Sequence, residues 1–284
     1  MIPPVVDQDW LRTHPQAVLA DVRWYLDGRS GADAHAAGHI PGAVWVDVDT
    51  DLAATPAREV GRHPFPTPEH FAEAMSTLGI GDDSVVVAYD DAGGLSAGRL
   101  VWMLRLLGHE AALLDGGIGA WTGELETGES PVARGGGDQP ATGAPRIFTP
   151  RPWPVGALVD IEEAQRQAAT RDAPPLLDAR AAERFRGEVE PTDAPPGHIP
   201  GAVSAPLGEN FTERGTFRDP EELRAHYARL GVTDASDVIA QCGSGVSACV
   251  DLLAMEHAGL GRGRLYVGSW SQYAFSGRPI ATGR

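Results

Sequence analysis

The sequence predicts an α/β protein of two domains, each a parallel sheet flanked by helices, and three observations carry that expectation. The chain has 284 residues, enough for two domains at roughly 100–200 residues each. Segments of its first half recur in its second. Each recurring segment alternates strand, glycine-rich loop and helix, the pattern of a parallel sheet.

The repeat can be traced residue by residue. GHIPGA stands at residues 38–43 and again at 197–202, an offset of 159. An Asp-x-Arg pair precedes each copy, Asp21 with Arg23 and Asp178 with Arg180, offset by 157. Further on, residues 67–90 align without a gap against 219–242, offset by 152. In that segment Thr67 and Asp219 supply a helix N-cap, and Pro68 and Pro220 take the first helical position. Apolar residues follow at helical spacing: Phe71, Met75 and Leu78 in one copy, Leu223, Tyr227 and Leu230 in the other. Gly79 and Gly231 then end each helix. Short apolar strands come next, SVVVAY and DVIAQ, each leading into a glycine-rich loop and a further helix. Residues 123–150 are rich in Gly, Pro, Thr and Ser, have no periodicity, and read as a linker. The expected organisation is therefore a first domain over 1–122, a linker over 123–150 and a second domain over 151–284.

Composition excludes several classes. With 42% hydrophobic and 22% charged residues the chain reads as an ordinary soluble protein. No apolar run approaches the roughly 20 residues of a membrane span, and the N-terminus lacks the basic and apolar regions of a secretory signal, so a cytoplasmic location is expected. All 23 basic residues are arginines; set against 39 acidic residues they leave a net charge of −16, which disfavours nucleic acid or an anionic membrane as partner. The two cysteines, Cys242 and Cys249, are too few for a disulfide framework and lack the spacing of a structural zinc site. No metal or organic cofactor is indicated.

Cys242 closes the strand DVIAQ and opens the run Cys242-Gly243-Ser244-Gly245-Val246-Ser247-Ala248, after which the pattern is helical. Sheets of this kind place their ligands at the carboxyl ends of the strands. Two glycines allow the loop to turn its N–H groups inward, and the helix N-terminus adds partial positive charge; both favour a thiolate. Cys242 is thus the expected nucleophile, with Gly243, Gly245, Val246 and Ser247 forming a cradle around its sulfur. Cys249, inside the helix, reads as a core residue. A cysteine phosphatase would need an arginine six residues after the cysteine. That position is Ala248, and the cation-free loop suits a less charged sulfur donor. In the first copy Asp90 stands where Cys242 stands in the second, in a loop one residue longer, so the first domain is expected to be catalytically silent.

These residues resemble the two-domain rhodanese-like sulfurtransferases. The resemblance runs from Asp21 through GHIPGA, LLDGG at 113–117, the second DAR and GHIPGA, to GSW at 268–270. The loop CGSGVSA is similar to that of 3-mercaptopyruvate sulfurtransferases, and this implies two half-reactions. Cys242 takes sulfur from 3-mercaptopyruvate, releasing the enolate of pyruvate, and the resulting persulfide passes its outer sulfur to a thioredoxin, a small thiol or cyanide. The resemblance also implies Arg184, in RFRG at 184–187, as the clamp for the substrate carboxylate, and a Ser-His-Asp relay at Ser244, His63 and Asp49. Many members carry a second clamp arginine in an EPR element; this chain has Glu190-Pro191-Thr192 and is two residues shorter there, so that arginine is missing. Thiosulfate is the alternative donor, and a non-catalytic sulfur carrier or regulatory module the alternative role. His39, His198 and the two Asp-x-Arg pairs, present in both copies, read as structural. Trp270 either borders the pocket or packs in the core.

Overall fold

The structure of the chain, a computed structural model, describes residues 1–129 and 146–283. It divides into two compact units. In the first, strands β1 (Val5–Val6), β2 (Val18–Asp21), β3 (Val44–Trp45), β4 (Val85–Tyr89) and β5 (Glu110–Leu114) form one parallel sheet in the order β1-β5-β4-β2-β3. Helices α1 (Gln8–Thr13), α2 (Gly31–Ala37), α3 (Pro68–Thr77) and α4 (Ala97–Leu106) connect them. The second unit repeats that order with β6 (Leu158–Val159), β7 (Leu176–Asp178), β8 (Val203–Ser204), β9 (Ile239–Gln241) and β10 (Arg264–Tyr266), as β6-β10-β9-β7-β8. Its helices are α5 (Ile161–Ala169), α6 (Ala182–Phe185), α7 (Pro220–Arg229), α8 (Ala248–His257) and α9 (Ser269–Tyr273). On one face of this sheet Leu176, Ile239 and Tyr266 pack with Ile161 and Ala164 of α5 and with Trp270 and Tyr273 of α9. Among the described residues no helix is long and apolar enough to cross a membrane.

Local sequence accounts for the element ends. Thr67 Oγ1 accepts the His70 N–H at 3.2 Å and Pro68 opens α3. Asp219 takes the same extended conformation before α7, but its side chain makes no cap bond. The Asp-x-Arg pairs tie a strand end to the GHIPGA turn. Arg180 donates to Asp178 through Nε at 3.0 Å and Nη2 at 2.7 Å, and through Nη2 to the Gly197 carbonyl at 2.8 Å. Arg23 binds Asp21 and the Gly38 carbonyl in the same way. His198 is buried, stacked on Phe185 and bonded through Nδ1 to the Phe185 carbonyl. These repeated residues are structural.

The units depart from the sequence boundaries at two places. Residues Ala54–Phe65 group with the second unit. There the Arg62 N–H donates to Ser271 Oγ at 3.0 Å and Gln272 Nε2 donates to the Glu59 carbonyl at 2.5 Å. The described ends of the Gly/Pro-rich stretch belong to the first unit. Glu126 and His39 exchange backbone hydrogen bonds at 2.9 Å, and Phe148 is buried against Phe71 and His109. Residues 130–145 of the expected linker lie outside the described residues. A hairpin-like excursion and a single aromatic anchor leave no periodic pattern, so hydrophobic periodicity does not register them.

Two stability predictions follow from this frame. Gly42 and Gly201, at the same place in the two GHIPGA turns, both have left-handed φ, +76° and +89°. A Cβ on Gly42 would meet open space, whereas one on Gly201 would lie 2.0 Å from the Ala168 carbonyl oxygen. Denaturant unfolding should show Gly42→Ala costing about 1–2 kcal/mol and Gly201→Ala costing more than about 3 kcal/mol; equal costs would refute the contact. The second concerns Asp251 on α8, fully buried, which accepts from Asn210 Nδ2 at 2.6 Å. Burial, with the charges of Asp178 and Glu209 adding and the Asn210 bond opposing, pushes its carboxyl from 3.8 up to about 8. A carboxyl raised by folding stabilises fully below its unfolded value, and that contribution is lost as pH rises through the folded one. Urea midpoints measured from about pH 4 to about pH 9 should therefore fall more steeply for the wild type than for Asp251→Asn.

Candidate functional site

The end of β9 delivers Cys242 to a turn that runs directly into α8. The residue is 1% exposed. The Gly245 N–H donates to its Sγ at 3.2 Å. Its own N–H donates to Ser269 Oγ at 3.2 Å, and Ser269 Oγ donates onward to the Tyr266 carbonyl at 2.8 Å. The Trp270 N–H reaches the Cys242 carbonyl at 3.0 Å and the Ser271 N–H the Gly243 carbonyl at 2.7 Å. The segment after β10 is thus a second wall that fixes the backbone of the turn. Gly245 is required by backbone and by space: its φ is +75°, and a Cβ there would stand 2.5 Å from the Val267 carbonyl oxygen. Val246 is buried, and Ser247, half-buried, precedes α8 without capping it. Trp270 belongs to the core: it is fully buried, donates to the Asp193 carbonyl at 3.0 Å and carries the Arg180 guanidinium 4.4 Å above its ring.

Cations stand beside the turn, although its sequence contains none. From the position where a Cβ would stand on Gly243, Arg62 Nη2 is 3.2 Å away, and Arg184 Nη2 and Nη1 are 3.7 and 3.8 Å away. Arg184 donates to Glu190 through Nη2 at 2.6 Å and Nε at 3.2 Å, and Arg180 Nη1 donates to the same carboxylate at 3.2 Å. Burial alone would raise the Glu190 carboxyl; the Arg184 bond, the Asp193 N–H and the Arg184 charge outweigh it and hold it below its ordinary value. Arg62 makes the matching pair with Asp193, through Nε at 3.0 Å and Nη2 at 2.9 Å. The expected clamp, Arg184, is therefore at the turn and is held there by a carboxylate of the chain itself.

His63 Nδ1 and Ser244 Oγ share a hydrogen bond at 2.7 Å, both residues being buried. Both belong to the second unit, because His63 lies in Ala54–Phe65. Asp49 belongs to the first unit, is exposed, and accepts the Trp24 indole N–H at 3.0 Å. Cys249 is a fully buried thiol on α8, outside any disulfide among the described residues, and its Sγ lies 3.5 Å from the Gly245 carbonyl oxygen. Among the described residues no group of three or more His, Cys, Asp or Glu side chains could hold a metal.

The matching turn of the first unit shows what this backbone shape binds. The Asp90 carboxylate fills it, 1% exposed. It accepts the backbone N–H groups of Ala92 and Gly94 at 2.8 Å, Ser96 at 2.9 Å and Ala97 at 3.0 Å, and the Ser96 hydroxyl at 3.1 Å. A strand-to-helix turn of this family of shapes is a cradle for one buried anion.

Sequence reasoning missed Arg62, Asp193 and the scaffold serines Ser269 and Ser271. One signal pointed at the first. The offset between the copies drops from 159 at GHIPGA to 152 at the following helix, so the first copy is seven residues longer in the interval that contains Ala54–Phe65.

Comparison with known proteins adds the lineage. A model of the rhodanese-like domain matches residues 7–124 and again 160–275. A Pseudomonas aeruginosa protein provisionally named a 3-mercaptopyruvate sulfurtransferase is 40% identical over 280 residues, covering 95% of this chain and 94% of that protein. A Mycobacterium tuberculosis protein provisionally named the thiosulfate sulfurtransferase SseB is 36% identical over 280 residues, covering 95% and 92%. The solved 3-mercaptopyruvate sulfurtransferase from Leishmania major superposes with a TM-score of 0.82 at 31% identity, over 98% of this chain and 75% of that one.

The buried anion of the first unit yields a prediction. Asp90→Asn replaces one accepting oxygen by an amide that turns its own N–H groups on converging donors. Its loss should cost about 2–4 kcal/mol in denaturant unfolding; a cost below about 0.5 kcal/mol would show that the cradle does not need its anion.

Proposed function

This chain belongs to the rhodanese-like family of sulfurtransferases, with two copies of the domain in tandem, and from that premise we propose that it moves sulfane sulfur from 3-mercaptopyruvate through a persulfide on Cys242. The observation that carries this reading is the turn itself. The one nucleophile in the pair of cradles stands where the other unit keeps a carboxylate, with the Gly245 N–H on its sulfur. The names of the Pseudomonas and Leishmania relatives support the donor.

In the first half-reaction the Cys242 thiolate attacks the sulfur of 3-mercaptopyruvate. An S–S bond forms, the C–S bond breaks, and its electron pair leaves on the methylene carbon as the enolate of pyruvate. The proton of the donor thiol ends on that carbon, giving pyruvate and an anionic persulfide. Ser244, two residues after Cys242, and His63, bonded to it at 2.7 Å, supply the path for that proton. Inward N–H groups suit thiolate and persulfide equally, since the two anions have the same sign and nearly the same place. In the second half-reaction a thiolate of a thioredoxin or a small thiol, or cyanide, attacks the outer sulfur and restores Cys242. Arg184 takes the donor carboxylate. The first unit is silent, because the Asp90 carboxylate cannot carry sulfane sulfur. Neither cysteine is in a disulfide among the described residues, in keeping with work in the reducing cytoplasm.

The name of the Mycobacterium tuberculosis relative favours thiosulfate as a second reading of the donor. Purified protein given each donor with a common acceptor separates them. Pyruvate release from 3-mercaptopyruvate should exceed sulfite release from thiosulfate by at least about tenfold in kcat/KM, and the reverse order overturns the donor assignment. Cys242→Ser should abolish both reactions and the labelled persulfide, a fall of at least about 10³-fold.

A further inference from the structure

We propose that Arg62 is a second carboxylate-binding residue of the donor site, acting with Arg184 across Gly243 and biasing the chain toward donors that carry a carboxylate; the proposal rests on the sulfurtransferase reading. The run Glu190-Pro191-Thr192, beside Arg184, supplies no second guanidinium. The guanidinium arrives instead from Ala54–Phe65, which groups with the catalytic unit.

Four observations converge on this assignment. Arg62 Nη2 is nearer to the open side of Gly243 than either terminal nitrogen of Arg184, at 3.2 Å against 3.7 and 3.8 Å. Second, both arginines spend the same edge on an internal carboxylate: Nε and Nη2 face Asp193 in one case and Glu190 in the other. Neither Nη1 has a hydrogen-bond partner among the described residues, and the side chains keep 28% and 17% of their exposure. Each planar fork therefore retains its end edge, the geometry that grips a carboxylate. Third, the two internal carboxylates come from one short run, Glu190–Asp193, and are 1% and 3% exposed, so both forks are held in place before any ligand arrives and little side-chain freedom is lost on binding. Fourth, the conformation of Gly243 does not demand glycine, for its φ lies outside the left-handed region that Gly245 occupies. What it contributes is space, on the side the guanidiniums face, one residue from the sulfur nucleophile.

Charge decides which ligand fits. Arg62, Arg180 and Arg184 are matched by Asp178, Glu190 and Asp193, so no excess field pulls in a dianion. Two open fork edges reward a planar carboxylate set a methylene and a carbonyl away from the reacting sulfur.

The test uses the full chain with Arg62→Ala and Arg62→Lys. Kinetically, Arg62→Ala should raise KM for 3-mercaptopyruvate at least about tenfold while kcat falls less than about threefold, and Arg62→Lys should recover part of that loss, since lysine keeps the charge without the fork. Persulfide loading from inorganic polysulfide, which has no carboxylate, should fall at least about tenfold less than turnover of 3-mercaptopyruvate. A uniform loss with both sulfur sources overturns the proposal. Calorimetric titration with pyruvate reads the seat without any turnover: Arg62→Ala should weaken binding at least about tenfold. Equal affinity, or no binding to the wild type, overturns the proposal. Failure of 3-mercaptopyruvate turnover alongside Arg62-dependent pyruvate binding would reject the donor reading and leave the carboxylate seat standing.

Discussion

A turn that gathers several backbone N–H groups inside a protein must be given an acceptor, because buried donors without a partner cost more than the turn can return. The first unit meets that constraint with a side chain. The first answers with a carboxylate on the turn's opening residue, bonded by four backbone N–H groups and a hydroxyl. In the second a thiol stands at the turn's opening residue, with the Gly245 N–H on its sulfur. The units therefore differ at the opening side chain of the turn and by one residue in the length of the loop that follows it.

The cations around the turn are controlled by the opposite logic. Asp178, Arg180, Glu190 and Arg184 form a continuous series of buried pairs, and Arg62 with Asp193 lies beside it. Such series add little net stability, yet losing one member leaves a buried charge uncompensated. Their evident use here is orientation. A chain whose basic residues are all arginines suits this arrangement, since a guanidinium can give one edge to a carboxylate and keep another free, which an ammonium cannot do in a fixed direction.

Much of this was legible in the sequence, for physical reasons. Caps, helix-stop glycines and apolar periodicity are local, and the repeat let each copy vouch for the other; α3 and α7 begin at Pro68 and Pro220 as their signals predict. Cys242 was legible because glycine, cysteine and helix start are adjacent in the chain, and Ser244 with His63 because the family resemblance spans both. Arg62, Asp193 and Ser271 were not, because each matters through a partner far along the chain and no local pattern encodes that partner. Arg184 stands beside the turn, and its bond to Glu190, six residues on, lies outside any periodic signal.

Duplication begins with two equivalent halves, each complete. Here the halves have ceased to be separable, since Ala54–Phe65 is inherited with the first copy and folds with the second. Cutting the chain at residue 151 would leave a polypeptide with its cysteine, its cradle and its sheet, but without the imidazole that meets Ser244 and the guanidinium that meets Asp193. The first copy is therefore not a segment open to deletion. The point where the repeat divides the sequence no longer coincides with any point where the protein can be divided.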